Sequence, residues 1–296
     1  MKKFSIKKIL VPIDFSETAA NALKQAVLIA KSNQASIKLV HAVHSVYITG
    51  SELTVPTSEA FYNKIQKTAE QRLKEMTQGI AGIAITYEVK MGSVDKIVNY
   101  TASKEKFDLI IMGTHGTSGA KEFFIGSNAY KVVHNATCPV MTIQKKIKAG
   151  FKNIVLPIRL GLHSRQKVDY VVELAKTFGS TIHIVGFVSD KSKDSKDKIR
   201  AYVKQVEKYL GDLKLNQTSA VIAGNNFTKE ILSFGKEKNA DLIAVMNDND
   251  FSLDQLMSGS YAKQFVNHSD IPVLSVPVKE SDILTFSPYL SGVSPT

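Results

Sequence analysis

The sequence predicts two tandem α/β domains, each an open five-stranded parallel sheet with helices on both faces. Two observations predict this. The chain repeats itself in ordered blocks, and within each repeat short Ile/Val-rich runs alternate with segments of helical periodicity. KKILVPID at 7–14 returns as KNIVLPIR at 152–159, an offset of 145. AVLIAKSNQASIKLVHAV at 26–43 returns as VVELAKTFGSTIHIVGFV at 171–188 with the same offset. FDLIIM at 107–112 returns as ADLIAV at 240–245, and IGSNAYKVVHNATCPVMTI at 125–143 as SGSYAKQFVNHSDIPVLSV at 258–276, both offset by 133. The second repeat therefore has a shorter middle. The domains predicted are 1–146 and 150–279, joined in the polar stretch QKKIKAG and followed by a tail, 280–296.

The elements of the first repeat follow in order. ILVPI reads as a buried strand. Ser16 is placed to cap a helix in which Leu23, Val27 and Ala30 recur at helical spacing. SIKLVHAV is the second strand. Residues 60–79 carry Phe61, Ile65, Ala69, Leu73 and Met76 on one stripe of a helix. Then come AITYEV (strand), SVDKIVNYTASKE (helix), DLIIM (strand), SNAYKVVHNA (helix) and PVMTI (strand). Strands apolar on both faces, alternating with helices, argue for a parallel sheet covered on both sides.

Composition narrows the function classes. The chain has 296 residues, 44% hydrophobic and 22% charged, the profile of a globular protein. It has no apolar run long enough to span a membrane. The basic N-terminus leads into a short apolar run broken by Pro12 and Asp14, which fits a first strand better than a signal peptide. A lone cysteine, Cys138, excludes an internal disulfide framework and fits a cytoplasmic protein. It is expected to be a buried, inert thiol. The net charge of +11 divides unevenly: residues 1–148 carry 20 basic and 11 acidic side chains, the remainder 18 and 16. The excess is scattered lysine without interleaved aromatics, so a nucleic-acid partner is disfavoured.

The chemistry concentrates in GTHGTSGAKEFFIGSNA, residues 113–129. This glycine-rich stretch leaves the fourth strand and enters a helix. Gly113 is expected to make a sharp turn, and Gly116 to take positive φ or admit a ligand against the backbone. Gly126, Ser127 and Asn128 stand at a helix N-terminus, where bare N–H groups and the helix dipole favour a phosphate. Lys121 in the intervening loop is a further phosphate partner. A Walker A loop does not fit, because Ala120 follows Gly119. Ligands of open parallel sheets bind at the carboxyl ends of the strands. His41 and His44 are three apart on a strand and do not make a metal site. No catalytic triad or carboxylate pair stands beside the loop, so fast hydrolysis is not expected.

VPIDFS at 11–16, VHAV at 40–43 and MGTHGTSGAKEFFIGS at 112–127 make the chain resemble a tandem universal stress protein over nearly its whole length. The resemblance implies a Rossmann-like (adenine nucleotide α-hydrolase-like) domain with strand order 3-2-1-4-5. In one subgroup it also implies bound ATP; the cofactor expected here is ATP, which could carry Mg2+. It implies that Asp14 accepts hydrogen bonds from the adenosine moiety and that Pro12 and the backbone of Ala42 line the adenine slot. Met112 would pack on base or sugar, and Gly113, His115 and Gly116 would border ribose and phosphates. Gly126, Ser127, Asn128 and Ala129 would hold the phosphate tail. Subgroup members often have Val and Thr where this chain has Asn128 and Ala129, which removes a hydroxyl. Asp14 could instead cap the first helix, although Ser16 is better placed.

In the second repeat Asp14 becomes Arg159, Gly113 becomes Met246 and Gly116 becomes Asn249, with Gly259 and Ser260 retained. Arg159 cannot accept hydrogen bonds. The second repeat thus reads as a degenerate partner. The expected function is adenine-nucleotide binding by a stress or regulatory protein. The rivals are a slow ATP-hydrolysing enzyme of the same fold group and a nucleotide-free interaction module. The resemblance implies pairing of domains through their fifth strands, here PVMTI (139–143) and PVLSV (272–276), apolar edge strands that would pair within the chain. The protein would then be a monomer, or a homodimer through another face.

Overall fold

A computed structural model of the chain describes residues 4–43, 59–114, 127–145, 150–161, 163–190, 192–247 and 260–279. The first repeat runs β1 (Lys8–Pro12), α1 (Glu17–Asn33), β2 (Ser36–Val43), α2 (Glu59–Met76), β3 (Ile85–Met91), α3 (Val94–Lys104), β4 (Leu109–Gly113), α4 (Ser127–Asn135) and β5 (Val140–Ile143). The second runs β6 (Asn153–Ile158), α5 (Val168–Phe178), β7 (Thr181–Val188), α6 (Lys193–Asp212), β8 (Gln217–Ala223), α7 (Phe227–Glu237), β9 (Leu242–Asn247), α8 (Tyr261–His268) and β10 (Val273–Pro277).

The ten strands form one sheet in the order β3-β2-β1-β4-β5-β10-β9-β6-β7-β8. Each repeat contributes a parallel 3-2-1-4-5 half. The halves meet where β5 and β10 pair antiparallel, with Met141 opposite Leu274. Ile9, Leu10 and Val11 of β1 are all fully buried, so both faces of the sheet are covered. On one face Ile9 and Val11 belong to a continuous core that runs through both repeats and includes Leu23 of α1, Leu73 of α2, Leu174 of α5 and Ile199 of α6. On the other, a second core contains Leu10 together with Val98 of α3, Val132 of α4, Ile231 of α7 and Phe265 of α8.

One hydrogen-bond device recurs in both repeats. Asp108, just before β4, accepts from the backbone N–H groups of Lys7 and Lys8, each at 2.8 Å. Its counterpart Asp241 accepts from Lys152 and Asn153 at 2.8 and 3.0 Å. Each carboxylate ties the start of its repeat's first strand to the start of the fourth. The tie sets the register of the two strands whose far ends flank the candidate site.

Candidate nucleotide site

The carboxyl end of β1 is held by a turn that the sequence pattern does not announce. Phe15 has φ of 64°, in the left-handed region that a non-glycine residue adopts at a cost of about 1–2 kcal/mol. Its ring packs against His41 at 4.7 Å between centroids and lies 3.9 Å from the guanidinium carbon of Arg72. His41 Nδ1 lies 2.7 Å from the carbonyl oxygen of Ile13, so the ring donates to the strand end. These contacts offset the strain and hold the turn that carries Asp14. Asp14 Oδ1 accepts the Ser16 N–H at 3.0 Å. Ser16 in turn caps α1 by accepting from the Ala19 N–H at 3.2 Å. Ser16 is therefore the helix cap, and Asp14 braces the cap from outside with its carboxylate exposed.

A cavity of about 280 Å³ opens at the carboxyl ends of β1, β2 and β4. Of the residues singled out in the sequence, Pro12, Asp14, Ala42, Met112, Gly113, Asn128 and Ala129 line it together. Its apolar walls also include Val40 and, from the start of α3, Val94 and Val98. The α3 valines carry no motif. Their only sequence signal is a position just after the third strand, which the sheet topology brings beside β1. Ser127 opens α4. His115, Gly116, Lys121 and Gly126 lie outside the described residues, as does the side chain of Ser127. Among the described residues no group of three or more His, Cys, Asp or Glu could hold a metal ion.

Gly113 has a different reason to be glycine from the sharp turn expected of it. It is the last residue of β4, in extended backbone rather than at positive φ. A Cβ there would lie 2.6 Å from Thr18 Oγ1, 2.7 Å from the Thr18 carbonyl carbon and 2.9 Å from the Ala19 nitrogen. The bare backbone lets the first turn of α1 close over the strand end. Helix α1 and β4 thereby shape one wall of the cavity.

Among the described residues the matching place in the second repeat is closed. Only about 10 Å³ remains, room for no more than one water molecule. Arg159 replaces Asp14, and its guanidinium carbon lies 4.2 Å from the Tyr261 ring centroid and 5.1 Å from that of Phe227. By the repeat offsets Tyr261 stands for Asn128 and Phe187 for Ala42, and Phe227 opens α7 as Val94 opens α3. The Phe187 and Phe227 rings are 5.1 Å apart, and those of Phe227 and Tyr261 5.0 Å. Met246 stands for Gly113 and is accommodated because the helix that would crowd it starts later. Whereas α1 begins at Glu17, α5 begins at Val168, the counterpart of Leu23, and residues 163–167 form turns instead.

Comparison with known proteins agrees with this architecture. A profile of the universal stress protein family matches the chain twice, over residues 5–144 and 150–277. Universal stress protein A homolog 1 of Coxiella burnetii is 31% identical over 141 residues, which span 47% of this chain and 97% of that relative. Universal stress protein YxiE of Bacillus subtilis is 32% identical over 146 residues, or 46% of this chain and 98% of that one. The solved structure of a universal stress protein from Archaeoglobus fulgidus shares the fold at a TM-score of 0.73 and 20% identity, covering 94% of this chain and 98% of its own. With both repeats matched, the chain belongs to the universal stress protein family.

Proposed function

We propose that the first repeat binds an adenine nucleotide, ATP in the first instance, and that the chain acts in the stress response through that binding. The observation that carries this reading is the open cavity at the carboxyl ends of β1, β2 and β4. At about 280 Å³ it is close to the lower end of the ~300–1,000 Å³ range of small-molecule pockets. The lining has the chemistry a nucleotide needs. Val40, Ala42, Val94, Val98 and Met112 offer an apolar slot for the base. A carboxylate accepts through both oxygens, so Asp14 can brace Ser16 and accept from a ribose hydroxyl together. The phosphates would run toward α4, whose first-turn N–H groups have no intrahelical acceptor and favour an anion. Asn128 supplies an amide there in place of the hydroxyl that Ala129 lacks. Mg2+ would arrive on the phosphates, as that ion commonly does.

Binding rather than rapid turnover is the expected role, and a cytoplasmic setting belongs to the same proposal. Among the described residues no helix is long and apolar enough to cross a membrane. The test is mass spectrometry of the denatured protein for a copurified nucleotide, followed by calorimetry. One site per chain is expected. Two equivalent sites, or no adenine nucleotide bound at all, would overturn the reading. Multiple-turnover kinetics on the same preparation separates a binding protein from a slow hydrolase.

A further inference from the structure

Helix α4, which faces the cavity with its N-terminus, is held at its other end by the second repeat. Asn247, the last residue of β9, donates its side-chain amide to the carbonyl of Val133 at 2.8 Å and to that of His134 at 3.4 Å. These carbonyls belong to the last turn of α4, which no N–H of the same helix can reach. The arrangement is reciprocal. Gln144, just past β5, donates Nε2 to the carbonyl of Val266 at 2.6 Å, in the last turn of α8. Val133 and Val266 are the same position in the two repeats, 133 residues apart. Each repeat thus caps the fourth helix of the other with an amide side chain. Lys263 of α8 adds a cation 5.0 Å from the ring of Tyr130 on α4.

The α4 helix has nine residues, so it is only about 13 Å long at ~1.5 Å per residue. A helix this short, with Val132 and Val133 buried in a close-packed core, moves as one piece. Displacing its capped end re-aims Asn128 and the N–H groups at the cavity. We infer that Asn247 is a positioning residue: the second repeat, itself closed to ligand, orients α4 toward the phosphates of a nucleotide held by the first. This rests on the nucleotide reading of the cavity.

The test compares ATP with adenosine, which lacks the phosphates, on the full-length protein. Asn247→Ala should weaken ATP about fivefold and leave adenosine within about twofold, the scale of one lost hydrogen bond. Asn247→Asp keeps the shape, loses the donor and sets a negative charge at a helix C-terminus, so its effect should be at least as large. Gln144→Ala removes the reciprocal cap on α8 and should leave ATP affinity unchanged. Equal weakening of ATP and adenosine, no weakening of ATP, or an equal effect from Gln144→Ala would overturn the inference. If the wild-type protein binds neither ligand, the nucleotide reading fails. Hydrogen exchange then decides the clamp alone: Asn247→Ala should speed exchange in α4 and not in α1, and unchanged exchange in α4 overturns it.

Discussion

The two repeats share a strand order and the Asp108/Asp241 tie, yet one keeps a cavity of about 280 Å³ where the other keeps about 10 Å³. The difference is a set of replacements of small by large. Ala42, Val94, Gly113 and Asn128 in the first repeat stand opposite Phe187, Phe227, Met246 and Tyr261 in the second. The second repeat has, in effect, bound its own side chains. Arg159 lies over Phe227 and Tyr261, a cation on aromatic faces, where Asp14 leaves a carboxylate exposed at the rim of the first cavity. A closed site in this fold is thus a packed core rather than a vacancy. The change need not cost stability, because the apolar area of the filling rings is removed from water.

Moving the second repeat's residues into the first should break the difference. The largest effect is expected from Gly113→Met. Its Cβ would meet the backbone of Thr18 and Ala19 at under 3 Å, and the first repeat still has the helical turn that the second has unwound. Overpacking of this kind costs about 3 kcal/mol. Calorimetry should find no nucleotide binding and thermal unfolding should show a clear loss of Tm. Retained binding at an unchanged Tm would mean that the first turn of α1 is not the constraint. Next comes the double substitution Ala42→Phe with Val94→Phe, which copies the Phe187–Phe227 pair. Here the rings enter an existing cavity, so Tm should hold or rise while affinity falls at least about 100-fold, the scale of a ligand excluded from its slot. An undiminished affinity would show that the base does not lie between β2 and α3.

Much of this was legible in the sequence, for physical reasons that also mark where legibility stops. Ile- and Val-rich runs buried on both faces announce strands whatever their neighbours, so β2 spans the predicted Ser36–Val43. The other strands fall within a residue or two of expectation. The constant offsets align the first, second and fourth strands of the repeats, and so pair Asp14 with Arg159 and Gly113 with Met246. What depends on contact across the fold was not legible. The glycine at 113 has the same letter whether it turns or merely makes room, and only the distance to Thr18 decides. Val94 and Phe227 fall in the middle segment where the offset changes, so their equivalence shows only in the structure, where each opens the helix that follows its repeat's third strand. The left-handed Phe15 is stabilised by His41 and by Arg72, and the latter is 57 residues further on. The caps by Asn247 and Gln144 exist only because β5 pairs with β10.

The smallest effect is expected where the repeats agree. Cys138 stands opposite Ile271, so both repeats place an apolar residue at the entry to their fifth strand. Burial, with a lesser contribution from Asp108, pushes the thiol up to about 12 from an ordinary value of 9.0. The thiolate is the reactive form. At pH 8, far below that value, very little of the native thiol is ionised. A chromogenic disulfide reagent should therefore react slowly with the native protein and rapidly after denaturation. The linkage has a definite sign. The folded state holds the proton more tightly, so stability is unaffected by this group below pH 9 and falls as pH rises from 9 toward 12, where only the unfolded thiol is ionised. Cys138→Val should remove that part of the alkaline loss and leave nucleotide affinity unchanged. Rapid native-state labelling at pH 8, or a Cys138→Val protein with altered affinity, would show that this position serves the site and not only the core.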